Sequence, residues 1–182
     1  MKTTAIFLAS GFEEIEAITV IDVLRRAGIP VQTVSMTGQY EVTGGHQIPV
    51  RTDRLFEEFD FRSLDMIILP GGAAGVENLN AHEGLKTQLR QFCRNGKLLA
   101  AICAAPKLPG QLGLLEGKRA VCYPGLEKEL KGALLSEAPV ITDGNIITSR
   151  GIGTALDFAL EIVRLLEGAD KAGKLAASMV YV

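Results

Sequence analysis

The residues best placed to do chemistry lie in the stretch Lys97-Leu98-Leu99-Ala100-Ala101-Ile102-Cys103-Ala104-Ala105-Pro106. An apolar run of strand character ends directly on Cys103, and small residues follow. That is the layout of a nucleophile elbow, where a sharp strand-to-helix turn exposes the nucleophile and requires small neighbours. The helix that follows would aim its N-terminal amides at the sulfur, which favours a thiolate and lowers its pKa. The competing reading is a structural cysteine, since unpaired cysteine is among the most buried residue types. Cys93 and Cys122 fit that second reading. Cys93 shares a helical stripe with Leu89, and Cys122 closes a short apolar run before Tyr123-Pro124.

A second candidate is Glu16. Glu13, Glu14 and Glu16 make an acidic first turn, which suits the positive end of a helix. That accounts for Glu13 and Glu14. Glu16 differs, because Val20, Val23, Leu24 and Ala27 follow it at four, seven, eight and eleven positions. Those spacings put its carboxyl on an apolar stripe. A carboxyl on a buried face is either partnered or kept protonated by desolvation. A protonated Glu16 could donate a hydrogen bond to a thiolate and act as a general acid. Leu69-Pro70-Gly71-Gly72 is a third signal, because consecutive glycines at a strand end let backbone amides approach a ligand or an oxyanion. A plain tight turn is the alternative. The fourth is Thr148-Ser149-Arg150-Gly151-Ile152-Gly153-Thr154, a possible anion-binding helix start. It matches neither GxGxxG nor GxxxxGK[ST], and Arg150 could instead bridge two loops. Neither histidine suits a Cys–His dyad: His46 lies in a turn-rich excursion and His82 at a helix start, and both read as structural or solvated.

These groups need a scaffold that brings distant segments together. The sequence predicts strands over 4–9, 31–36, 66–69, 98–102 and 119–122, and helices over 13–27, 81–95, 104–113, 152–166 and 171–181. Gly28 stands where a helix C-cap belongs. Residues 38–50 read as a hairpin or edge excursion, and Asp143-Gly144-Asn145 as a hairpin turn between 140–142 and 146–148. Continuous apolar strands separated by helices predict a mostly parallel sheet covered on both faces, with a site at the carboxyl ends of its strands.

Composition limits the possible functions. The 182 residues fit a single domain spanning 1–182, and 47% hydrophobic residues suffice for one core. With 19 basic and 21 acidic side chains, there is no basic face for nucleic acid and no cationic cluster for a membrane surface. The longest apolar stretch, 98–106, is far short of the ~20 residues of a spanning helix. Met1-Lys2-Thr3-Thr4 lacks the apolar core and cleavage site of a signal peptide. Three cysteines without a CxxC pair argue for a reducing compartment, and two histidines argue against a zinc site. A cytoplasmic protein without metal or cofactor is expected.

Taken together, Gly11-Phe12-Glu13-Glu14-Ile15-Glu16-Ala17, Asp22-Val23-Leu24-Arg25-Arg26-Ala27-Gly28-Ile29, Leu69-Pro70-Gly71-Gly72, Ala100-Ala101-Ile102-Cys103-Ala104-Ala105-Pro106 and Thr148-Ser149-Arg150-Gly151 resemble the ThiJ/PfpI superfamily, in the branch of the parkinsonism-linked protein deglycase. The resemblance runs nearly end to end. It implies a flavodoxin-like three-layer α/β sandwich, related to class I glutamine amidotransferases, that forms homodimers. It makes Cys103 the nucleophilic or redox cysteine and Glu16 its protonated partner, with the amides of Gly72 and Ala104 as an oxyanion pocket. Gly71, Tyr123 and Arg150 are further candidates for contact with a small aldehyde substrate. Family members are described as glutathione-independent glyoxalases, deglycases and redox-sensing chaperones, and in older usage as proteases or thiazole-phosphate biosynthesis proteins. One departure is plain: several relatives carry a histidine before proline where this chain has Tyr123-Pro124. A tyrosine with an ordinary pKa of ~10 is a poor base at neutral pH, which leaves the proton traffic to Glu16.

Three functions compete. An enzyme would use Cys103 to attack an α-oxoaldehyde. A redox sensor or chaperone would need only an oxidisable thiolate. Peptidase-like relatives on this fold place a histidine directly after the nucleophile, at 104, and glutaminase elbows favour glycines two positions either side of it, at 101 and 105. The chain has Ala104, Ala101 and Ala105 there, which disfavours that class, and no phosphate signature supports thiazole biosynthesis.

Overall fold

The computed structural model describes residues 2–181. Strand β1 (Thr4–Leu8) is buried throughout, and its pleat sends Ile6 and Leu8 to one core and Ala5 and Phe7 to the other. The strands that follow are β2 (Val31–Ser35), β3 (Glu41–Thr43), β4 (Pro49–Arg51), β5 (Arg54–Leu55) and β6 (Met66–Leu69). The second half adds β7 (Leu98–Ile102), β8 (Arg119–Ala120), β9 (Leu134–Leu135), β10 (Val140–Asp143) and β11 (Ile146–Ser149). Seven of them form one sheet in the order β10-β11-β7-β6-β1-β2-β5. All neighbours are parallel except β10 and β11, which make the hairpin expected around Gly144.

Helices cover both faces, giving the flavodoxin-like three-layer sandwich. On one side lie α1 (Glu14–Arg26), α5 (Ala155–Glu167) and α6 (Ala169–Ser178), whose Val20, Leu24, Phe158, Ile162 and Ala172 join Ile6 and Leu8. On the other lie α2 (Ala73–Ala81), α3 (Glu83–Arg94) and α4 (Lys107–Gln111), with Leu79, Leu85, Leu89, Phe92 and Leu108 over Phe7. Among the described residues no helix is long and apolar enough to cross a membrane.

Several elements differ from expectation. Helix α2 follows directly on Gly72, where the sequence suggested only a turn. The helix expected from 81 starts at Glu83, because His82 accepts the Leu85 amide at 3.1 Å and caps it. The expected 119–122 strand pairs only over Arg119–Ala120, against the unforeseen β9. Residues 41–51 do form a hairpin, β3 with β4, but as a separate ribbon off the main sheet.

The strand order fixes where a site can be. After β1 the chain crosses to β2 on one side, and β6 then returns to β1's other flank. At such a reversal the loops leave in opposite directions and open a crevice at the strands' carboxyl ends. The segments carrying Glu16, Gly71-Gly72 and Cys103 all leave from that end, after β1, β6 and β7.

Candidate active site

Cys103 leaves β7 with a φ of +65°. A residue with a Cβ pays about 1–2 kcal/mol for that left-handed backbone, and two hydrogen bonds hold it there. Its amide donates to the Ser149 carbonyl at 2.9 Å, and its carbonyl accepts the Tyr123 amide at 2.8 Å. The strained turn lifts the sulfur off the strand into the crevice, half-buried, as a nucleophile elbow requires.

Glu16 reaches the same point from the first turn of α1. It is 0% exposed, on the face that carries Val20 and Leu24. Its Oε2 accepts the Gly71 amide at 2.7 Å. Its Oε1 is buried with no nitrogen or oxygen partner among the described residues. The Cys103 thiol is the remaining polar neighbour of the carboxyl.

The two glycines after β6 do separate jobs. A Cβ on Gly71 would stand 2.5 Å from Glu16 Oε2, 2.6 Å from Cys103 Cβ and 3.1 Å from Cys103 Sγ. Gly71 therefore lets carboxyl and thiol meet, and its amide is committed to Glu16. With its carbonyl accepting the Glu13 amide at 3.0 Å, both backbone polar groups of Gly71 are committed within the protein. Gly72 has φ +91°, and a Cβ there would press on the Gly11 carbonyl and lie 2.7 Å from the Glu13 amide. This tight packing turns the Gly72 amide toward the sulfur, where it joins that of Ala104. Two backbone donors thus converge on one sulfur, where they favour negative charge.

Electrostatics set the proton inventory. Burial pushes the Glu16 carboxyl from 4.5 up to about 7, the Glu13 charge adds to it, and the Gly71 amide and the thiol oppose it. Burial also pushes the Cys103 thiol up to about 12, with the Glu16 charge and the hydrogen bond between them in the same direction and the Gly72 and Ala104 amides against. The expected lowering by a following helix is not found. Helix α4 has five residues and begins at Lys107, beyond a turn, so its dipole is weak and distant. When Glu16 is protonated, the repulsion acting on the sulfur disappears and the carboxyl becomes a donor to it.

The remaining expectations divide. Tyr123 is at the mouth, 51% exposed. A Cβ on Gly151 would lie 3.4 Å from the Tyr123 ring and 3.9 Å from Cys103 Sγ. Gly151 thus keeps the space above the sulfur open, a role its sequence motif did not reveal. Arg150 is elsewhere. It lines a separate cavity of about 330 Å³ with Cys122 and Glu127, and its Nη1 donates to the Glu137 carbonyl at 3.2 Å. It bridges two loops rather than meeting Cys103. His46 also has a structural task. Its Nδ1 is 2.9 Å from Glu14 Oε2 and its amide donates to Oε1 at 2.6 Å, which ties the β3–β4 ribbon to α1. Glu13, Glu14 and His46 bring potential metal-ligand atoms within 4.8 Å of one another, but these bonds occupy the Glu14 carboxylate. Sequence reasoning also missed Ser149 and Gly11, which act through backbone carbonyls that no side chain announces.

Comparison with known proteins gives the family and the fold. The DJ-1/PfpI family pattern matches residues 2–165. Protein DJ-1 homolog B of Arabidopsis thaliana is 40% identical over 181 residues, which are 98% of this chain and 41% of that protein. The chain spans less than half the length of the Arabidopsis relatives it matches. A deglycase of Pyrococcus abyssi is 32% identical over 164 residues, 89% of this chain and 98% of that one. A crystal structure of a DJ-1 superfamily protein from Salmonella typhimurium superposes over 100% of both chains with a TM-score of 0.95 at 36% identity.

Proposed function

This chain belongs to the DJ-1/PfpI family, and we propose that it is a cysteine-dependent enzyme that converts α-oxoaldehydes, free or released from adducts, to 2-hydroxy acids without glutathione. One observation carries the reading. A fully buried carboxyl, held near neutrality, has the Cys103 thiol as its free polar neighbour, beside two converging amides. A carboxyl with a pKa of about 7 can take and return a proton at neutral pH.

The steps balance without a redox cofactor. Ionised Glu16 takes the Cys103 thiol proton as the sulfur bonds to the aldehyde carbon, and the carbonyl oxygen takes the electron pair toward the Gly72 and Ala104 amides. Glu16 passes that proton to the oxygen, which gives a hemithioacetal and restores the carboxylate. Ionised Glu16 removes the former aldehyde hydrogen as a proton, and the electron pair moves through an enediol to the ketone oxygen. Glu16 then returns the proton to the neighbouring carbon, while the hydroxyl proton on the former aldehyde oxygen passes to the ketone oxygen. The aldehyde carbon has been oxidised to a thioester and the ketone carbon reduced to an alcohol within one molecule. Water cleaves the thioester, releasing the 2-hydroxy acid and restoring the thiol. Tyr123, at the mouth, can donate a hydrogen bond to substrate but is not the base.

The homodimer implied by the resemblance belongs to the same proposal. Exposed Ile15 and Ile18 on α1 are apolar surface a second copy would cover, and a monomeric mass in sedimentation would remove it.

The decisive assay is glutathione-free consumption of methylglyoxal, with chiral detection of lactate, for the wild type and Cys103→Ser. Lactate from the wild type and none from the variant is the expected result. No lactate from folded wild type would refute the enzyme reading. The same thiol, flanked by amides able to hold sulfinate oxygens, would then be read as an oxidation sensor, and confinement of peroxide adducts to Cys103 would support that.

A further inference from the structure

The mechanism leaves unused a groove that begins where the oxyanion pocket ends. Ala104, which sends its amide to the sulfur, is also a wall of a cavity of about 280 Å³ lined by Ala73, Ala74, Val76, Leu126, Lys107 and Glu77. Ala73, another wall residue, directly follows Gly72, the other amide donor to the sulfur. The walls are mostly carbon: three alanine methyls, Val76, Leu126 and the methylene stem of Lys107. The one pair of charges neutralises itself, with Lys107 Nζ 2.6 Å from Glu77 Oε1 and the Lys107 side chain only 19% exposed. The two charges that line the groove are thus paired with each other. Ala73 is an exposed residue in the first turn of α2. The helix would accept a larger side chain there, yet alanine leaves the entrance open.

We propose that this groove binds the substituent on the ketone carbon of the substrate, so that the preferred substrates are α-oxoaldehydes with an uncharged apolar chain longer than methyl. The inference rests on the α-oxoaldehyde reading above. Once the aldehyde carbon is bonded to Cys103 and its oxygen lies on the Gly72 and Ala104 amides, the ketone carbon is one bond away. Its substituent leaves beside those same residues, and the neighbouring surface is apolar. A methyl is too short to cover that surface, and a longer chain removes it from water.

The test is a chain-length series. Unbranched 2-oxoaldehydes bearing methyl, propyl and pentyl groups are assayed for kcat/KM with the wild type and Ala73→Leu. Complete burial of a methylene gives about a fourfold gain and half burial about twofold. The wild type is expected to improve by about two- to fourfold per methylene, and Ala73→Leu to flatten the series by filling the entrance. A flat or falling wild-type series, or a slope unchanged in Ala73→Leu, overturns the proposal. Turnover of no aldehyde at all refutes the chemistry instead. The groove is then judged by the rate at which N-methyl, N-propyl and N-pentyl iodoacetamides alkylate Cys103, read by intact mass. A chain-length gain lost in Ala73→Leu supports it, and equal wild-type rates overturn it.

Discussion

Replacing Glu16 by Gln should stabilise the protein at alkaline pH and leave its stability nearly unchanged at acid pH. Glu16 binds its proton more tightly folded, at about 7, than at its ordinary value of 4.5. Folding therefore takes up a proton between those values, and stability falls as pH rises through that window. The favourable contribution is fully present below 4.5 and gone above about 7. At 1.36 kcal/mol per pH unit it amounts to ~3 kcal/mol. The side chain is 0% exposed, so solvent does not screen the effect. The carboxamide of the Glu16→Gln variant would be neutral at every pH, and its carbonyl can accept the Gly71 amide in place of Oε2. The stability difference, Gln variant minus wild type, should grow by ~3 kcal/mol between pH 4.5 and 8.5. Urea titrations at several pH values measure it. In a domain of this size it corresponds to a widening gap in Tm of roughly 6–12 °C. The Cys103 thiol, with a value of about 12, stays protonated in this range whenever Glu16 is ionised and does not blur the slope. A pH-independent difference would refute the claim that Glu16 is held near neutrality by burial.

The remaining predictions concern the same few residues. Glu16→Gln should lower turnover of methylglyoxal by at least about a hundredfold, the usual size of a lost general acid–base, while iodoacetamide still alkylates Cys103; wild-type turnover would sink its role. Gly71→Ala should fold but lose activity, because its Cβ falls 2.5 Å from Glu16 Oε2 and 2.6 Å from Cys103 Cβ. The overpacking should cost about 1–3 kcal/mol in denaturant melts, and an unaffected melt would contradict the close approach. Tyr123→His should raise kcat/KM at pH 7 by about tenfold or more, since imidazole titrates near neutrality and phenol does not; unchanged kinetics would show that Glu16 alone moves the protons. Arg150→Ala should leave KM for methylglyoxal within about twofold, consistent with a long-range rather than contacting position, and a large rise would place Arg150 in the site after all.

Much of this molecule is legible in its residues. Local physics determined the elements: the apolar runs of β1, β6 and β7, the stripe through Val20 and Leu24, Gly28 closing α1 with φ +73°, and the turn at Gly144. The same patterns marked Cys103 as a strand-end cysteine and Glu16 as a carboxyl on a buried face, because helical and strand periodicities report which side a residue faces. What periodicity cannot report is distance between segments far apart in the chain. Only the tertiary structure decided that the Gly71 amide serves Glu16, since that depends on a contact across 55 residues. It likewise put Arg150 in its own cavity and gave Ser149 and Gly11 roles through their carbonyls. The Cys103 pKa shows the division most clearly. A local reading of the elbow lowers it through the next helix, whereas the fold raises it, because burial and a neighbouring carboxylate outweigh a five-residue helix that begins beyond the turn. Sequence sets the conformational preferences of each segment. The free energy of a charge depends on everything packed around it, which exists only once the chain has folded.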